Sequence, residues 1–292
     1  MTGGRQMTRG QKTWLLALGL AAGVSFGASA ATVTTPAGMA TSSDTDVDQQ
    51  WFRWAESGGQ TGITADYPRT DSGSALFTTP DAAGYAQWRY EARSATSFGA
   101  LGKLSEFTGG SYEWYRDSTS TNSAVQAPAF GLWIDHDGSP TSTGDRTWLL
   151  YEPIYQPTHS GSPALPTDAW QHEAVTSRSI FWGNNLPAPG YCALSVFMAG
   201  GSCGGQSTIN GDSVIIGVRT SVGNGWAGTF RGAADNVIFE SSHAGASLSA
   251  NFELPPPPPA AVPTVGEWGL AISGLLLAGL GARRLRKGRK AA

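Results

Sequence analysis

Charge is scarce in this 292-residue chain: Asp, Glu, Lys and Arg make up 14% of it, beside four histidines and two cysteines. The charge that exists has the wrong sign for a nucleic-acid binder. Between residues 31 and 260 there are 10 Arg and Lys against 21 Asp and Glu, a net of −11, which repels a phosphate backbone, so no nucleic acid is expected as a partner. The histidines (His136, His159, His172, His243) lie far apart without His-x-x-x-His spacing, and both the Gly-x-Ser-x-Gly elbow and a phosphate-binding glycine loop are missing. Carboxylate pairs for glycoside hydrolysis are thin: Glu106 and Glu113 are seven apart across a Gly-Gly turn, and Glu152 stands alone. The sequence is therefore read as that of a protein that is not an enzyme. Cys192 and Cys203, with ten residues between them, are neither a C-x-x-C redox pair nor part of a zinc cluster. In an oxidising compartment they form one disulfide, which closes a short loop and contributes on the order of 2–3 kcal/mol.

What the chain does have is punctuation at both ends. Arg5, Arg9 and Lys12 precede an apolar run from Trp14 to Phe26 and the small-residue site Ala28-Ser29-Ala30. That order is a signal peptide over residues 1–30, cut by signal peptidase after Ala30, so the mature protein is exported. Residues 31–50, rich in Thr, Ser and Asp, are expected to be flexible. Five consecutive prolines, Pro255 to Pro259, open a stiff spacer over residues 255–261. A run from Trp268 to Ala282 then carries no charge, and Arg283, Arg284, Arg286, Lys287, Arg289 and Lys290 follow it. The pattern predicts a single transmembrane helix with its C-terminus inside and the preceding domain outside, provided Trp268 sits at the interface and the arginines snorkel.

Between Trp51 and Leu254 no helical periodicity is sustained. Short β-branched and aromatic runs recur between clusters of Gly, Ser, Pro and Asn, the pattern of an all-β antiparallel sandwich or barrel over residues 51–254. Strands are predicted at 86–92, 111–115, 129–135, 146–155, 170–176, 179–182, 213–220, 227–239 and 247–252. In Phe130-Gly131-Leu132-Trp133-Ile134 the alternation sets Phe130, Leu132 and Ile134 on one face and Trp133 on the other.

Two stretches resemble known families. Val262, Pro263, Thr264, Val265, Glu267, Trp268 and Gly269, followed by the apolar segment and the basic end, resemble the IPTL-CTERM sorting domain, a relative of the PEP-CTERM signals. Val262 and Val265 replace the usual Ile and Leu. The resemblance covers residues 262–292 and implies an exopolysaccharide-associated or envelope protein of a Gram-negative bacterium, processed by an exosortase near the motif. It implies passage through the inner membrane and delivery to the cell surface or extracellular matrix. Gly225-Trp226-Ala227-Gly228-Thr229-Phe230, then Asp235-Asn236-Val237, then Asn251-Phe252-Glu253 resemble the last strands of concanavalin-like or laminin-G-like jelly rolls. That resemblance implies a jelly-roll sandwich that binds sugars or calcium.

The candidate binding residues follow from composition and alternation. Sugar rings stack on exposed indole and phenol faces while polar neighbours bond the hydroxyls. Trp148, Tyr151, Trp170 and Trp182 are the glycan candidates, because the strand beginning at Arg146 puts an aromatic on each of its faces. Asp135, Asp137 and Asp145, in an Asp-His-Asp-Gly turn and the Ser/Thr/Gly loop after it, and Asp235 are candidate calcium ligands; an ordinary solvated turn is the alternative. The resulting expectation is an exported surface protein with a glycan- or matrix-binding domain. A structural envelope protein without a small ligand and a polysaccharide-active enzyme are the alternatives.

Overall fold

The computed structural model describes residues 31–33, 37–39, 50–92, 100–139, 142, 144–187, 190–205, 208–257 and 265–288. The expected signal peptide and the motif positions Val262, Pro263 and Thr264 lie outside them.

In chain order the strands are β1 (Ala31–Val33), β2 (Ala37–Met39), β3 (Trp51–Glu56), β4 (Gln60–Thr64), β5 (Ser74–Thr79), β6 (Tyr85–Glu91), β7 (Phe107–Arg116) and β8 (Ala129–Asp135). They continue as β9 (Arg146–Tyr151), β10 (Gln171–Val175), β11 (Ile180–Gly183), β12 (Cys192–Ala193), β13 (Val214–Gly223), β14 (Phe230–Ser241) and β15 (Leu248–Phe252). The helices are α1 (Leu194–Met198) and α2 (Val265–Gly288).

The strands form two sheets. The first runs β1-β15-β14-β5-β4, with β7 on the other side of β14 and β10 beyond it; the second runs β12-β11-β9-β8-β13-β6-β3-β2. Pairing is antiparallel except for β1 on β15 and β2 on β3. Those two short strands fall within residues 31–50, and each extends a sheet edge. β14 is long enough to hold β7 along one side while β5 and β15 share the other.

Period-2 alternation fills the space between the sheets. Trp51, Trp88 and Phe252 pack at 5.7 and 4.9 Å between ring centroids, and Tyr112, Phe130, Tyr151 and Phe181 form a second chain of rings 5.9–6.0 Å apart. Phe130, Leu132 and Ile134 are fully buried, on the face that their alternation predicts. The strand predicted to run to Tyr155 stops at Tyr151. Pro153 has no N–H for a ladder, and Pro153–Tyr155 turns into a short 3-10 helix. The Cys192–Cys203 disulfide is present and ties β12 to the segment after α1.

α2 carries Leu270, Ile272, Leu275, Leu276, Leu277 and Leu280 exposed. Among the described residues no helix is long and apolar enough to cross a membrane. α2 has 24 residues, of which an uncharged run of 15, about 22 Å of helix, compares with a hydrocarbon core of about 30 Å.

Candidate functional site

The second sheet has an outer face as distinctive as its core face. Residues in register across β3, β6, β13, β8 and β9 point away from the core together. They are Phe52 and Trp54; Tyr85, Gln87, Arg89 and Glu91; Gly217, Arg219 and Ser221; Gly131, Trp133 and Asp135; Arg146, Trp148 and Leu150. Aromatics and guanidiniums alternate over this surface. The Trp133 and Trp148 rings lie 5.4 Å apart and within 7° of parallel. The Arg219 guanidinium covers Trp148 at 4.0 Å from the ring centroid, while Arg146 and Arg89 approach Trp133 at 5.8 and 5.9 Å. Arg89 also lies 4.7 Å from both Phe52 and Trp54. Each such contact is worth about 0.5–2 kcal/mol, depending on how dry it is.

Arg219 and Trp148 stand on β13 and β9, with β8 between them. They meet because Gly131, at the crossing, has no side chain: a Cβ there would lie 3.0 Å from both Arg219 Cγ and Leu150 Cδ2. Polar groups then fix the stack. Arg219 Nη1 donates to Tyr85 Oη at 2.7 Å and Gln87 Oε1 at 3.3 Å, and the Tyr85 hydroxyl donates to Gln87 Oε1 at 2.8 Å. Trp54 Nε1 donates to Glu56 Oε1 at 2.6 Å, and the Trp148 backbone N–H to Asn184 Oδ1 at 2.9 Å. Above these residues lies an open groove of about 530 Å³, lined by Trp54, Glu56, Ser57, Ala83, Tyr85, Gln87, Arg89, Trp148, Asn184, Arg219 and Asn224. Aromatic edges and faces beside amides, a phenol and guanidiniums can hold a ring with apolar C–H faces and a polar rim.

The four predicted glycan residues do not converge. Trp148 faces outward, opposite to Tyr151, but it is not a free platform: Arg219 and Trp133 occupy its two faces and it is 8% exposed. Trp182 shares the outer side, opposite Leu150, with Nε1 donating to Glu152 Oε1 at 3.0 Å. Burial pushes the Glu152 carboxyl up to about 7, against that one hydrogen bond. Tyr151 points into the core, 2% exposed, its hydroxyl donating to Glu173 at 2.6 Å, so no ligand reaches it. Trp170 lies just before β10 of the other sheet, beside Tyr115 and Arg69. The residues that sequence reasoning missed are Trp54, Tyr85, Gln87, Arg89, Asn184 and Arg219. The run Tyr85-x-Gln87-x-Arg89-x-Glu91 is a signal for one of the strands, since every second residue is polar or amphipathic. Arg219 gives no local signal, because its position depends on a partner two strands away.

Of the four candidate calcium ligands, the structure brings three together. One oxygen each of Asp135, Asp137 and Asp145 lies within 4.8 Å of the others. Calcium–oxygen distances of about 2.3–2.6 Å set opposed ligands roughly 5 Å apart, so the three fit around one ion, though calcium takes six to eight oxygens. Burial raises the Asp135 carboxyl above the usual carboxylate range, with Arg146, 2.8 Å away, pulling the other way. Asp235 is not part of the group. It sits fully buried on β14 in the first sheet, where Oδ1 accepts the Phe252 N–H at 2.9 Å.

Among solved structures, similarity is distant. A family 11 carbohydrate-binding module from Clostridium thermocellum, in complex with a beta-1,3-1,4-mixed-linked tetrasaccharide, is 14% identical, with a TM-score of 0.38 over 65% of this chain and 88% of that one. The family 11 module of the cellulosomal cellulase Lic26A-Cel5E of the same organism is 15% identical, with a TM-score of 0.37 over 66% of this chain and 88% of that one. An endo-beta-1,4-glucuronan lyase from the fungus Trichoderma reesei is 10% identical, with a TM-score of 0.34 over 66% of this chain and 91% of that one. Nothing about the ligand follows from likenesses this distant. No curated protein matches the chain. At the other end of the molecule the match is direct: the family model of the IPTL-CTERM motif aligns with residues 260–287, so the chain ends in an IPTL-CTERM motif.

Proposed function

We propose that this is an exported cell-surface protein of a Gram-negative bacterium whose second sheet binds a glycan in the outer groove without reacting with it. The observation that carries the glycan reading is the groove itself, in which Trp54, Tyr85 and Trp148 alternate with the hydrogen-bonding side chains of Gln87, Arg89, Asn184 and Arg219. Trp54 is the platform: it is partly exposed on a strand near the sheet edge, with Arg89 against its ring and its N–H held by Glu56. On a broad glycan array the wild-type domain binds a defined set of polysaccharides, and Trp54→Ala weakens that binding about 30-fold or more, as the loss of a central aromatic anchor does. No binding anywhere on the array would leave a structural envelope role. The residue that favours a polysaccharide-active enzyme is Glu152, protonatable near neutral pH on the same side of the sheet. Release of reducing or unsaturated ends from the bound polymer, lost in Glu152→Gln, would establish that reading instead.

The tail sets the location in this proposal. The exposed leucines of α2 enter the bilayer, Trp268 takes the interface and the arginines after Ala282 snorkel, so that the 15-residue run engages the inner membrane during sorting. Signal peptidase and an exosortase then process the chain. Intact-mass measurement of protein from its native host is expected to show loss of the residues up to Ala30 and, only when the exosortase is present, of the tail beyond the Pro263–Trp268 region. A tail retained in both strains would make the protein a simple membrane-anchored one.

A further inference from the structure

We infer that the groove is built for an acidic sugar, one bearing a carboxylate or sulfate, and that Arg219 receives its anionic oxygen; the inference rests on the glycan reading. Three guanidiniums stand on the outer face of the second sheet. Two of them have a carboxylate: Arg89 lies 2.7 Å from Glu91, and Arg146 2.8 Å from Asp135. Arg219 has none. It is 7% exposed, and among the described residues its hydrogen-bond acceptors are neutral, the Tyr85 hydroxyl and the Gln87 amide. Its Nε is buried without a partner, and Nη2 donates to no described residue although the side chain lines the groove.

A buried guanidinium without a counter-charge is costly, and the Trp148 ring beneath it offsets that cost only in part. The register makes matters worse. Arg219 stands directly opposite Arg89 on the neighbouring strand, the like-charge arrangement that sheets avoid. Gly131 opens the crossing that lets the Arg219 side chain lie here. The carboxylate that shares the groove lining is Glu56, on the exposed end of β3 and bonded to Trp54. Two guanidiniums thus face the groove against one carboxylate, in a domain whose net charge is strongly negative. An anionic sugar oxygen accepting from Nη2 supplies the missing partner through a charge-assisted hydrogen bond, while the ring lies against the neighbouring aromatics.

The test compares matched polymers on the intact wild-type protein: a polyuronate against its carboxyl-reduced form, and a sulfated polysaccharide against its desulfated form. The charged member of one pair is expected to bind at least about tenfold more tightly than its neutral counterpart, with the advantage shrinking as salt is raised. The pair that discriminates identifies the anionic group. Arg219→Gln is expected to abolish the preference and Arg219→Lys to keep part of it. If Arg219→Gln does not fold, the polymer comparison on the wild type still decides. Equal binding of charged and neutral members in both pairs overturns the assignment of an acidic sugar and leaves the glycan reading standing. Binding of none of these polymers, nor of any other on the array, overturns both.

Discussion

Replacing Glu173 by alanine is expected to lower the free energy of unfolding by about 3–5 kcal/mol, measured as a shift of the urea midpoint at constant slope. Glu173 sits on β10, 4% exposed, and serves three donors from three other parts of the chain. Trp114 Nε1 on β7 lies 3.1 Å from Oε1, His159 Nε2 lies 2.8 Å from the same oxygen, and the Tyr151 hydroxyl on β9 donates to Oε2 at 2.6 Å. Trp114 and Tyr151 are both core residues, so this carboxyl joins the two sheets through the middle of the sandwich. Its removal strands two buried donors and opens a cavity beside two large rings, and neither defect can be repaired from solvent. Glu173→Gln keeps the volume and one acceptor, and is expected to cost about a third as much. A loss below about 1 kcal/mol in the alanine variant would mean that water or a rearranged His159 replaces the carboxyl.

The second large effect is on pH dependence. The Asp235 carboxyl is raised from its usual 3.8 to about 7, chiefly by burial, with the Phe252 N–H opposing the shift. Its Oδ2 is buried and unpartnered. A carboxyl whose folded pKa exceeds its unfolded one binds more protons in the folded state between the two values, so stability falls as pH rises from about 4 to about 7 and stays low above that. Some three pH units correspond to at most about 4 kcal/mol. Asp235→Asn keeps an acceptor for Phe252 and cannot ionise. It is expected to match the wild type at or below about pH 4 and to exceed it by several kcal/mol at pH 8, read from denaturation midpoints across that range. Glu152, raised to about 7 by burial as well, adds a slope of the same sign that persists in the variant. Parallel curves for the two proteins would show that Asp235 gains a partner at high pH.

The sequence revealed most where the physical signal is linear along the chain. The C-terminal motif is an ordered run of small, apolar and then basic residues, readable without any partner. Strands with clean alternation were equally legible: Ala129–Asp135 is predicted and observed with the same bounds. β3, β4 and β5 were not among the predicted strands. They are short and separated by Ser57-Gly58-Gly59 and by a run of Asp, Pro and Ser, so turn chemistry dominates any window across them. What decides them is pairing, β3 on β6 and β5 on β14, with residues distant in sequence.

By itself, the sequence determined that residues 51–254 form a β-sandwich, that an IPTL-CTERM motif follows it, and that Trp133 turns away from Phe130, Leu132 and Ile134 while Trp148 and Tyr151 take opposite faces of their strand. Side-chain direction in a strand has a period of two, and that period is local. Only the tertiary structure decided that Trp148 is covered on both faces, that Tyr151 is sealed inside by Glu173, and that Arg219 stands in a groove without a carboxylate. Each of these depends on which strand lies beside which and in what register. One residue of slip, or a side chain at Gly131, would part Arg219 from Trp148.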